Sequence, residues 1–193
     1  MRCHPERSAR RARSRRTGAL LTLLALVACA RPAQAPDFTL VGDRGQPWTL
    51  SAQRGRPVFL TFGFSHCGDT CPLTVAKLVR VAHAVDTRAD GVEIAMVTVD
   101  PQRDTPAVLH RFVERFHGPV VGLTGTPSQI ASVESAYHVW AARVPGKHRT
   151  PRDYDVAHTA TIYAIDPHGD IRALRNDDDS EAALITTLRL TEQ

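Results

Sequence analysis

The stretch RPVFLTFGFSHCGDTCP, residues 56–72, decides the fold because a nearly continuous apolar run ends in two closely spaced cysteines. An apolar run such as residues 57–64 predicts a strand that is buried on both faces, as in the centre of a parallel sheet. Pro72 suits the first turn of a helix, where its missing N–H costs nothing. The stretch therefore predicts a central strand, a loop carrying Cys67 and Cys71, and a helix that begins at this loop.

The flanking patterns extend this unit into an α/β domain. Strands are predicted in an N-terminal hairpin around Gly42–Gly45, at residues 92–100, at residues 119–126, and in a late hairpin over residues 158–174. Helices are predicted after Pro72 and within residues 104–118, 127–140 (with Ile130, Val133, Tyr137 and Trp140 facing inward) and 177–190. Residues 141–157, which have little apolar periodicity, are predicted to form a long functional loop.

This element order predicts a thioredoxin-like three-layer α/β fold. Right-handed βαβ crossovers and antiparallel hairpins give a mixed central sheet, here of four or five strands, with helices on both sides. Ligand sites of such sheets favour the carboxyl edge, which is where the two cysteines are expected.

The first 28 residues are typical of a secretory leader. A basic segment ends at Arg16, and the apolar stretch Ala19–Ala28 is too short for a membrane span, which takes roughly 20 residues. The sequence LVAC at Leu26–Cys29 looks like a bacterial lipobox, in which the cysteine is lipidated and becomes the new N-terminus. Ordinary cleavage after Ala30 or Ala35, without a lipid, is the alternative.

The predicted organisation is a signal peptide of the lipoprotein type over residues 1–28, a tether over 29–36 and one domain over 37–193. The leader holds seven of the 24 basic residues and one of the 20 acidic residues. The remaining chain is slightly acidic, so the overall pI of about 9.2 gives no support to nucleic-acid binding.

Removal of the leader leaves one close cysteine pair in the folded chain, because Cys3 is lost and Cys29 carries the lipid. An exported protein with such a pair forms a single disulfide or holds a metal. The helix N-terminus is expected to lower the thiol pKa values of both Cys67 and Cys71, and the thiolate is both a nucleophile and a metal ligand. The position alone therefore leaves both alternatives open.

Three features favour the metal. The cysteine spacing is C-x-x-x-C, whereas thioredoxin-type oxidoreductases use C-x-x-C. No proline lies between Pro151 and Pro167, the span in which those enzymes carry the proline that faces the dithiol. His158 precedes a predicted strand and is expected beside the cysteine loop. Two thiolates and an imidazole suit copper, whereas structural zinc normally has a fourth protein ligand.

Several separated motifs make the chain resemble the Sco/SenC family of thioredoxin-like copper proteins, from about Asp37 to Leu190. These motifs are GFSHCGDTCP, VTVDPQRDTP, VGLTGT and DYDVAHTATIYAIDPHGDI. The resemblance implies that Cys67, Cys71 and His158 bind Cu(I) or Cu(II), and that the two cysteines also form a redox disulfide. Gly68 and Ala157 depart from residues common in the family, and Ala157 is expected to weaken the positioning of the imidazole.

The resemblance also implies a function in cytochrome c oxidase assembly. The protein would be an exported metallochaperone rather than a classical enzyme. It would deliver copper to the binuclear copper centre of the oxidase, or reduce the cysteines of that centre. The implied partner is the copper-containing oxidase subunit, with other periplasmic copper chaperones or thiol reductases beside it. The implied location is the periplasmic side of the inner membrane, through the lipid on Cys29.

Four alternatives remain: a membrane-anchored thiol–disulfide oxidoreductase of thioredoxin type, a peroxiredoxin, a copper-dependent redox sensor, and a structural disulfide. Residues 60–67 lack the P-x-x-x-T-x-x-C pattern of a peroxiredoxin. His66 and Asp69 are weaker candidates for metal contact, since the backbone is expected to direct His66 elsewhere and a loop carboxylate is ordinarily solvated. Asp100 and Asp104 are candidates for organising the loop near the site, with Asp104 or Thr105 as the cap of the following helix. The run Asp177–Asp179 is predicted to be a solvated helix start.

Overall fold

A seven-stranded mixed sheet forms the centre of the computed structural model, which describes residues 32–85, 91–146 and 154–191. The strands are β1 (Thr39–Gly42), β2 (Pro47–Thr49), β3 (Val58–Gly63), β4 (Glu93–Thr98), β5 (Val120–Thr124), β6 (Ala141–Pro145), β7 (Tyr154–His158), β8 (Thr161–Ile165) and β9 (Ile171–Asn176). The helices are α1 (Thr70–Val85), α2 (Pro106–Val113), α3 (Pro127–Ala136) and α4 (Glu181–Thr191). The mixed α/β fold predicted from the sequence is confirmed.

The strand order is β2-β1-β5-β4-β3-β8-β9, with β3, β4 and β5 parallel to one another. The sheet is larger than the four or five strands predicted, because the N-terminal hairpin joins it. Val41 pairs with Thr124 and Gly42 with Leu123, so that β1 extends the sheet beyond β5. The apolar run of β3 lies in the middle, and every residue of this strand is buried.

Helices cover both faces of the sheet, as predicted. A hydrophobic core lies on each face of the sheet, and successive residues of β3 point into one or the other. Phe59 packs on the side of α1, α2 and α4, whereas Leu60 packs on the side of α3. The inward position predicted for Trp140 is wrong, since this side chain is 61% exposed. Helix α3 ends at Ala136, and His138 has a φ of 54°, so the chain turns before it reaches Trp140.

The predicted long loop over residues 141–157 contains a β-hairpin instead. Strands β6 and β7 form a separate two-stranded sheet, with Ala141 opposite His158 and Pro145 opposite Tyr154. Most residues of β6 and β7 are only partly buried or exposed, so the sequence has no apolar alternation to reveal the strands. His158 is consequently the last residue of β7, three positions before β8 begins.

The segment before β1 is hydrogen-bonded to the turn between β8 and β9. Ala35 N–H donates to the Gly169 carbonyl (2.9 Å), and Ile171 N–H donates to the Ala33 carbonyl (2.8 Å). Strand β8 runs antiparallel to β3, so this turn lies near the first residue of β3, at the opposite end of the strand from Gly63. The predicted signal peptide and Cys29 lie outside the described residues. Among the described helices, none is long and apolar enough to cross a membrane.

Candidate metal centre

Cys67 and Cys71 lie where strand β3 passes into helix α1, as predicted. Cys67 is half-buried in the connecting loop, and its N–H donates to the Phe64 carbonyl (3.3 Å). Cys71 is buried in the first turn of α1, and its backbone N–H donates to Cys67 Sγ (3.3 Å). Both residues are free thiols in this structure. The helix N-terminus therefore directs one of its unpaired N–H groups at the Cys67 sulfur.

The pKa values of the two thiols are shifted in opposite directions. The hydrogen bond from the Cys71 side chain lowers the pKa of Cys67 to about 6, with further help from the Cys71 and Asp69 backbone N–H groups and from His158, while burial opposes the shift. The same side-chain hydrogen bond and burial raise the pKa of Cys71 above its usual range. The expectation that the helix N-terminus lowers both thiol pKa values is thus wrong for Cys71. Cys71 acts as the donor of the pair and Cys67 as the acceptor.

His158 lies beside Cys71. Its Nε2 atom is 3.7 Å from Cys71 Sγ, and its Nδ1 atom is 3.0 Å from the Thr159 carbonyl oxygen. Because a carbonyl only accepts, Nδ1 carries the proton and the lone pair of Nε2 points toward the sulfur. The Phe64 ring meets the imidazole edge to face, with ring centroids 6.0 Å apart. Thr159 and Phe64 thus position the ring from residues other than Ala157, where the sequence departs from the family.

The cysteine loop, which connects β3 to α1, is hydrogen-bonded to the fully buried side chain of Asp104. Its carboxylate accepts hydrogen bonds from the Ser65 N–H (3.0 Å), the Ser65 hydroxyl (2.5 Å) and the Thr98 hydroxyl (2.6 Å). Of the two predicted caps of α2, Thr105 is the N-cap, and Asp104 instead organises the cysteine loop, which was its alternative predicted role. His66 Nδ1 lies 2.9 Å from the Ser65 hydroxyl and 3.6 Å from the same carboxylate.

Asp100 lies two residues after the end of β4 and contacts the His158 hairpin. Its buried carboxylate accepts a hydrogen bond from the Tyr154 hydroxyl (2.9 Å) and forms an ion pair with Arg103. Tyr154 begins β7, the strand that ends at His158. The side chain of Asp69 is exposed in the cysteine loop. The Asp177–Asp179 segment forms a turn before α4, where two of its carbonyls accept from Lys77.

Gly63 is a site residue that the sequence analysis missed. A methyl group built on its Cα would lie 3.2 Å from Cys71 Sγ and 3.6 Å from Met96 Sδ. The absence of a side chain therefore lets the Cys71 sulfur pack against the end of β3. The signal was present in the sequence, because a glycine inside an apolar strand marks a close approach of another group.

The structure brings the predicted ligands together in pairs. Cys67 contacts Cys71, and Cys71 contacts His158. Among the described residues, no three His, Cys, Asp or Glu side chains are grouped closely enough to hold a metal ion in the present arrangement. The donor set of two sulfurs and one neutral imidazole nitrogen is nevertheless the type that soft metals select.

Sequence comparisons relate the chain to one family. A family model described as SCO1/SenC matches residues 29–191. The mitochondrial SCO2 homologue of Mus musculus is 38% identical over 135 residues, which make up 69% of this chain and 52% of that protein. The mitochondrial SCO2 protein of Saccharomyces cerevisiae is 37% identical over 150 residues, or 76% of this chain and 49% of that protein. The chain spans about half the length of these curated relatives.

Solved structures agree with the sequence comparisons. Copper-bound ScoI from Bradyrhizobium japonicum is 33% identical and superposes with a TM-score of 0.73, over 82% of this chain and 99% of that one. Copper-bound yeast Sco1 is 28% identical, with a TM-score of 0.71, over 84% of this chain and 88% of that one. With the family model matching most of the sequence, this chain belongs to the SCO1/SenC family.

Proposed function

We propose that this protein binds copper through Cys67, Cys71 and His158 as an exported metallochaperone. The observation that carries the proposal is the 3.7 Å approach of His158 Nε2 to Cys71 Sγ, with Nδ1 occupied by the Thr159 carbonyl. A fixed imidazole lone pair beside a dithiol offers one soft and one borderline donor type to the same ion. The copper-bound relatives named above support copper as the ion.

Copper is the cargo in this proposal. The Cys67 sulfur loses its proton most readily and so provides the first thiolate, while the Cys71 proton must leave when the metal enters. Because the three side chains meet only in pairs in the present arrangement, loading requires a small rearrangement of the cysteine loop or of the hairpin. The family resemblance supports the binuclear copper centre of cytochrome c oxidase as the destination.

Copper titrations of the reduced protein test the ligand set. Cu(I) tolerates two sulfurs in near-linear geometry, whereas Cu(II) prefers four-coordinate sites with nitrogen or oxygen donors. We expect His158→Ala to weaken Cu(II) binding more than Cu(I) binding, and Cys67→Ser or Cys71→Ser to weaken both. His83→Ala on the exposed end of α1 is the matched control. Unchanged Cu(II) binding and spectrum in His158→Ala would remove His158 from the site.

The redox state of the pair should control loading. Two sulfurs bonded to each other cannot act as thiolate ligands, so the Cys67–Cys71 disulfide should exclude copper. Equal copper uptake by oxidised and reduced protein would contradict the assignment of these sulfurs as ligands.

Thiol–disulfide exchange is the second candidate function, and the opposite thiol acidities favour it. The Cys67 thiolate would attack one sulfur of a client disulfide, giving a mixed disulfide and releasing one client thiolate. Cys71 would then lose its proton and attack Cys67, which forms the Cys67–Cys71 disulfide and releases the second client thiolate. Two electrons pass to the client, whose thiolates take up protons. Stoichiometric reduction of a client disulfide by Cys67→Ser protein would contradict this order.

A further inference from the structure

The site is held on two sides by one segment, residues 99–105, between β4 and α2. Asp104 holds the cysteine loop through Ser65, as described above. Asp100 and Arg103, in the same turn, contact Tyr154 at the start of the His158 strand. The cysteine loop and the His158 hairpin thus depend on a common support, although they are far apart in sequence.

Arg103 contacts Tyr154 in two ways. Its guanidinium donates to the Tyr154 carbonyl (2.9 Å) and lies over the Tyr154 ring, with Cζ 3.8 Å from the ring centroid. The same guanidinium pairs with the buried Asp100 carboxylate, which also accepts from the Tyr154 hydroxyl. The backbone, ring and hydroxyl of Tyr154 therefore all contact one ion pair. Arg143 of β6, within the hairpin itself, also lies over the Tyr154 ring, with Cζ 4.4 Å from the centroid.

The guanidinium is mostly buried, and its hydrogen bonding is incomplete. Its Nη2 atom is buried and has no hydrogen-bond partner among the described residues. A desolvated donor without an acceptor is costly, so the other contacts of the guanidinium must offset this cost. Stacking on Tyr154 and the approach to the Phe64 ring, at 5.8 Å, are the contacts that remain on its faces.

Phe64 connects this arrangement to the imidazole. Its ring lies 5.8 Å from Arg103 Cζ and meets His158 edge to face at 6.0 Å. The His158 strand is thus held at its first residue by the Asp100–Arg103 pair, and the His158 ring is held against Phe64 at the strand's other end.

We propose that Arg103, paired with Asp100, is a positioning residue that docks the β6–β7 hairpin through Tyr154 and thereby sets the place of His158 beside Cys71. This inference rests on the proposed copper site for its functional meaning. The docking itself is a property of the apo protein and can be measured without metal. Substituting a residue that orients a metal ligand without touching the metal typically lowers metal affinity about 10- to 100-fold.

The first test uses NMR on the reduced apo protein. In Arg103→Gln we expect loss of the Phe64–His158 ring NOE and about tenfold faster amide exchange in β6 and β7, because an ion pair and a stacking contact are lost. Arg115→Gln is the matched control, since Arg115 stacks on Phe112 (4.8 Å) away from the hairpin. Wild-type NOE and exchange in Arg103→Gln would overturn the proposal.

Two further variants separate docking from general stability. Arg103→Lys keeps a positive charge beside Asp100 but has no planar face. Its melting temperature should therefore be close to that of the wild type, while the Phe64–His158 ring NOE should still be lost. Tyr154→Ala leaves the buried Asp100–Arg103 pair intact and should also lose the NOE, which covers the case that Arg103→Gln does not fold. A normal NOE in Tyr154→Ala, or full rescue by Arg103→Lys, would overturn the proposal.

Copper titrations then connect docking to function. Arg103→Gln should weaken Cu(II) binding about tenfold and Cu(I) binding much less, because His158 matters more to Cu(II). If wild-type protein bound no copper, the proposed function would fail while the apo NMR results would still decide the docking. Equal loss of both affinities would contradict an effect through His158.

Discussion

Cys67 and Cys71 lie in the same loop–helix junction, yet their surroundings give them opposite acidities. Cys67 accepts hydrogen bonds from the Cys71 thiol and backbone, which favours its thiolate, while Cys71 is buried and donates. The pair therefore behaves as one thiolate and one thiol that share a proton, and its first deprotonation belongs chiefly to Cys67.

Alkylation of the reduced protein should reveal this difference. We expect iodoacetamide to modify Cys67 with a half-maximal rate at a pH of about 6, because only the thiolate reacts and the Cys67 pKa is lowered to that value. Cys71 should stay unmodified over the same range, since its pKa is raised. Peptide mass mapping against pH measures both rates.

The Cys71→Ala variant is the control for the cause of this shift. Removing the thiol donor should move the Cys67 midpoint upward, toward the roughly 8.5 of a free cysteine. A midpoint that stays near pH 6 in this variant would assign the shift to the helix N-terminus and contradict the role of the Cys71 side chain.

The sequence predicted the positions of the two thiols but not their difference. A helix N-terminus can be recognised from Pro72, so a lowered thiol pKa followed for both residues. Burial of Cys71 depends on the packing of α1 against β3, which no local pattern contains. Acidity at this site is thus a tertiary property.

At the level of elements, the end of β3 is shaped to receive the Cys71 sulfur. In Gly63→Ala the new methyl group would lie 3.2 Å from Cys71 Sγ, so the sulfur must shift. We expect the free energy of unfolding to fall by about 1–2 kcal/mol. Cu(I) affinity should fall about tenfold, measured by competition with a chromophoric chelator, because ligand orientation is disturbed.

Gly68→Ala is the matched control for this prediction. The same methyl group at Gly68, in the cysteine loop that follows β3, would meet no atom within 4 Å. Both the free energy of unfolding and the Cu(I) affinity should stay at wild-type values. An equal effect of the two substitutions would mean that loop stiffness, rather than contact with Cys71, is responsible.

The cysteine loop is tied to the end of β4 by one buried carboxylate, that of Asp104. Asp104→Ala would leave the Ser65 N–H and the Ser65 and Thr98 hydroxyls without their acceptor. We expect the free energy of unfolding to fall by about 3 kcal/mol, since unsatisfied buried donors cost about 1–3 kcal/mol each and the hydroxyls can partly reorient. Urea unfolding measures the loss.

The exposed Asp178 provides the comparison for this substitution. Asp178→Ala, in the turn before α4, should change the free energy of unfolding by less than about 0.5 kcal/mol. If Asp104→Ala were no more destabilising than Asp178→Ala, the carboxylate would not be supporting the cysteine loop.

Elements with a strong apolar pattern were predictable, whereas β6 and β7 were not. Strand β3 and helix α1 follow from the buried run and from the proline after Cys71. The hairpin has few buried side chains and is held in part by Arg103 and Asp100, which belong to another segment. The placement of His158 beside the cysteines was predictable from the fold class, but its support was not.

At the scale of the whole molecule, the sheet separates the site from the start of the domain. Gly63, next to the cysteine loop, is the last residue of β3. Ala33 and Ala35 pair with the β8–β9 turn, which lies near the first residue of β3. The length of strand β3 therefore separates the cysteine loop from the first described residues of the domain.

The sequence LVAC at Leu26–Cys29 resembles a lipobox, which predicts attachment to a membrane just before the described domain. Three residues separate Cys29 from Ala33, whose carbonyl accepts a hydrogen bond from Ile171 N–H. Since a single acyl chain gives only marginal binding, stable attachment requires the several chains of a bacterial lipoprotein. Cys29→Ser should therefore release most of the protein into the soluble fraction, or leave it unprocessed, as shown by fractionation and by mass spectrometry of the N-terminus. Cys3→Ser, within the predicted leader, is the matched control and should stay attached. Wild-type cleavage and attachment in Cys29→Ser would contradict lipidation, and ordinary cleavage after Ala30 or Ala35 would then be the interpretation that stands.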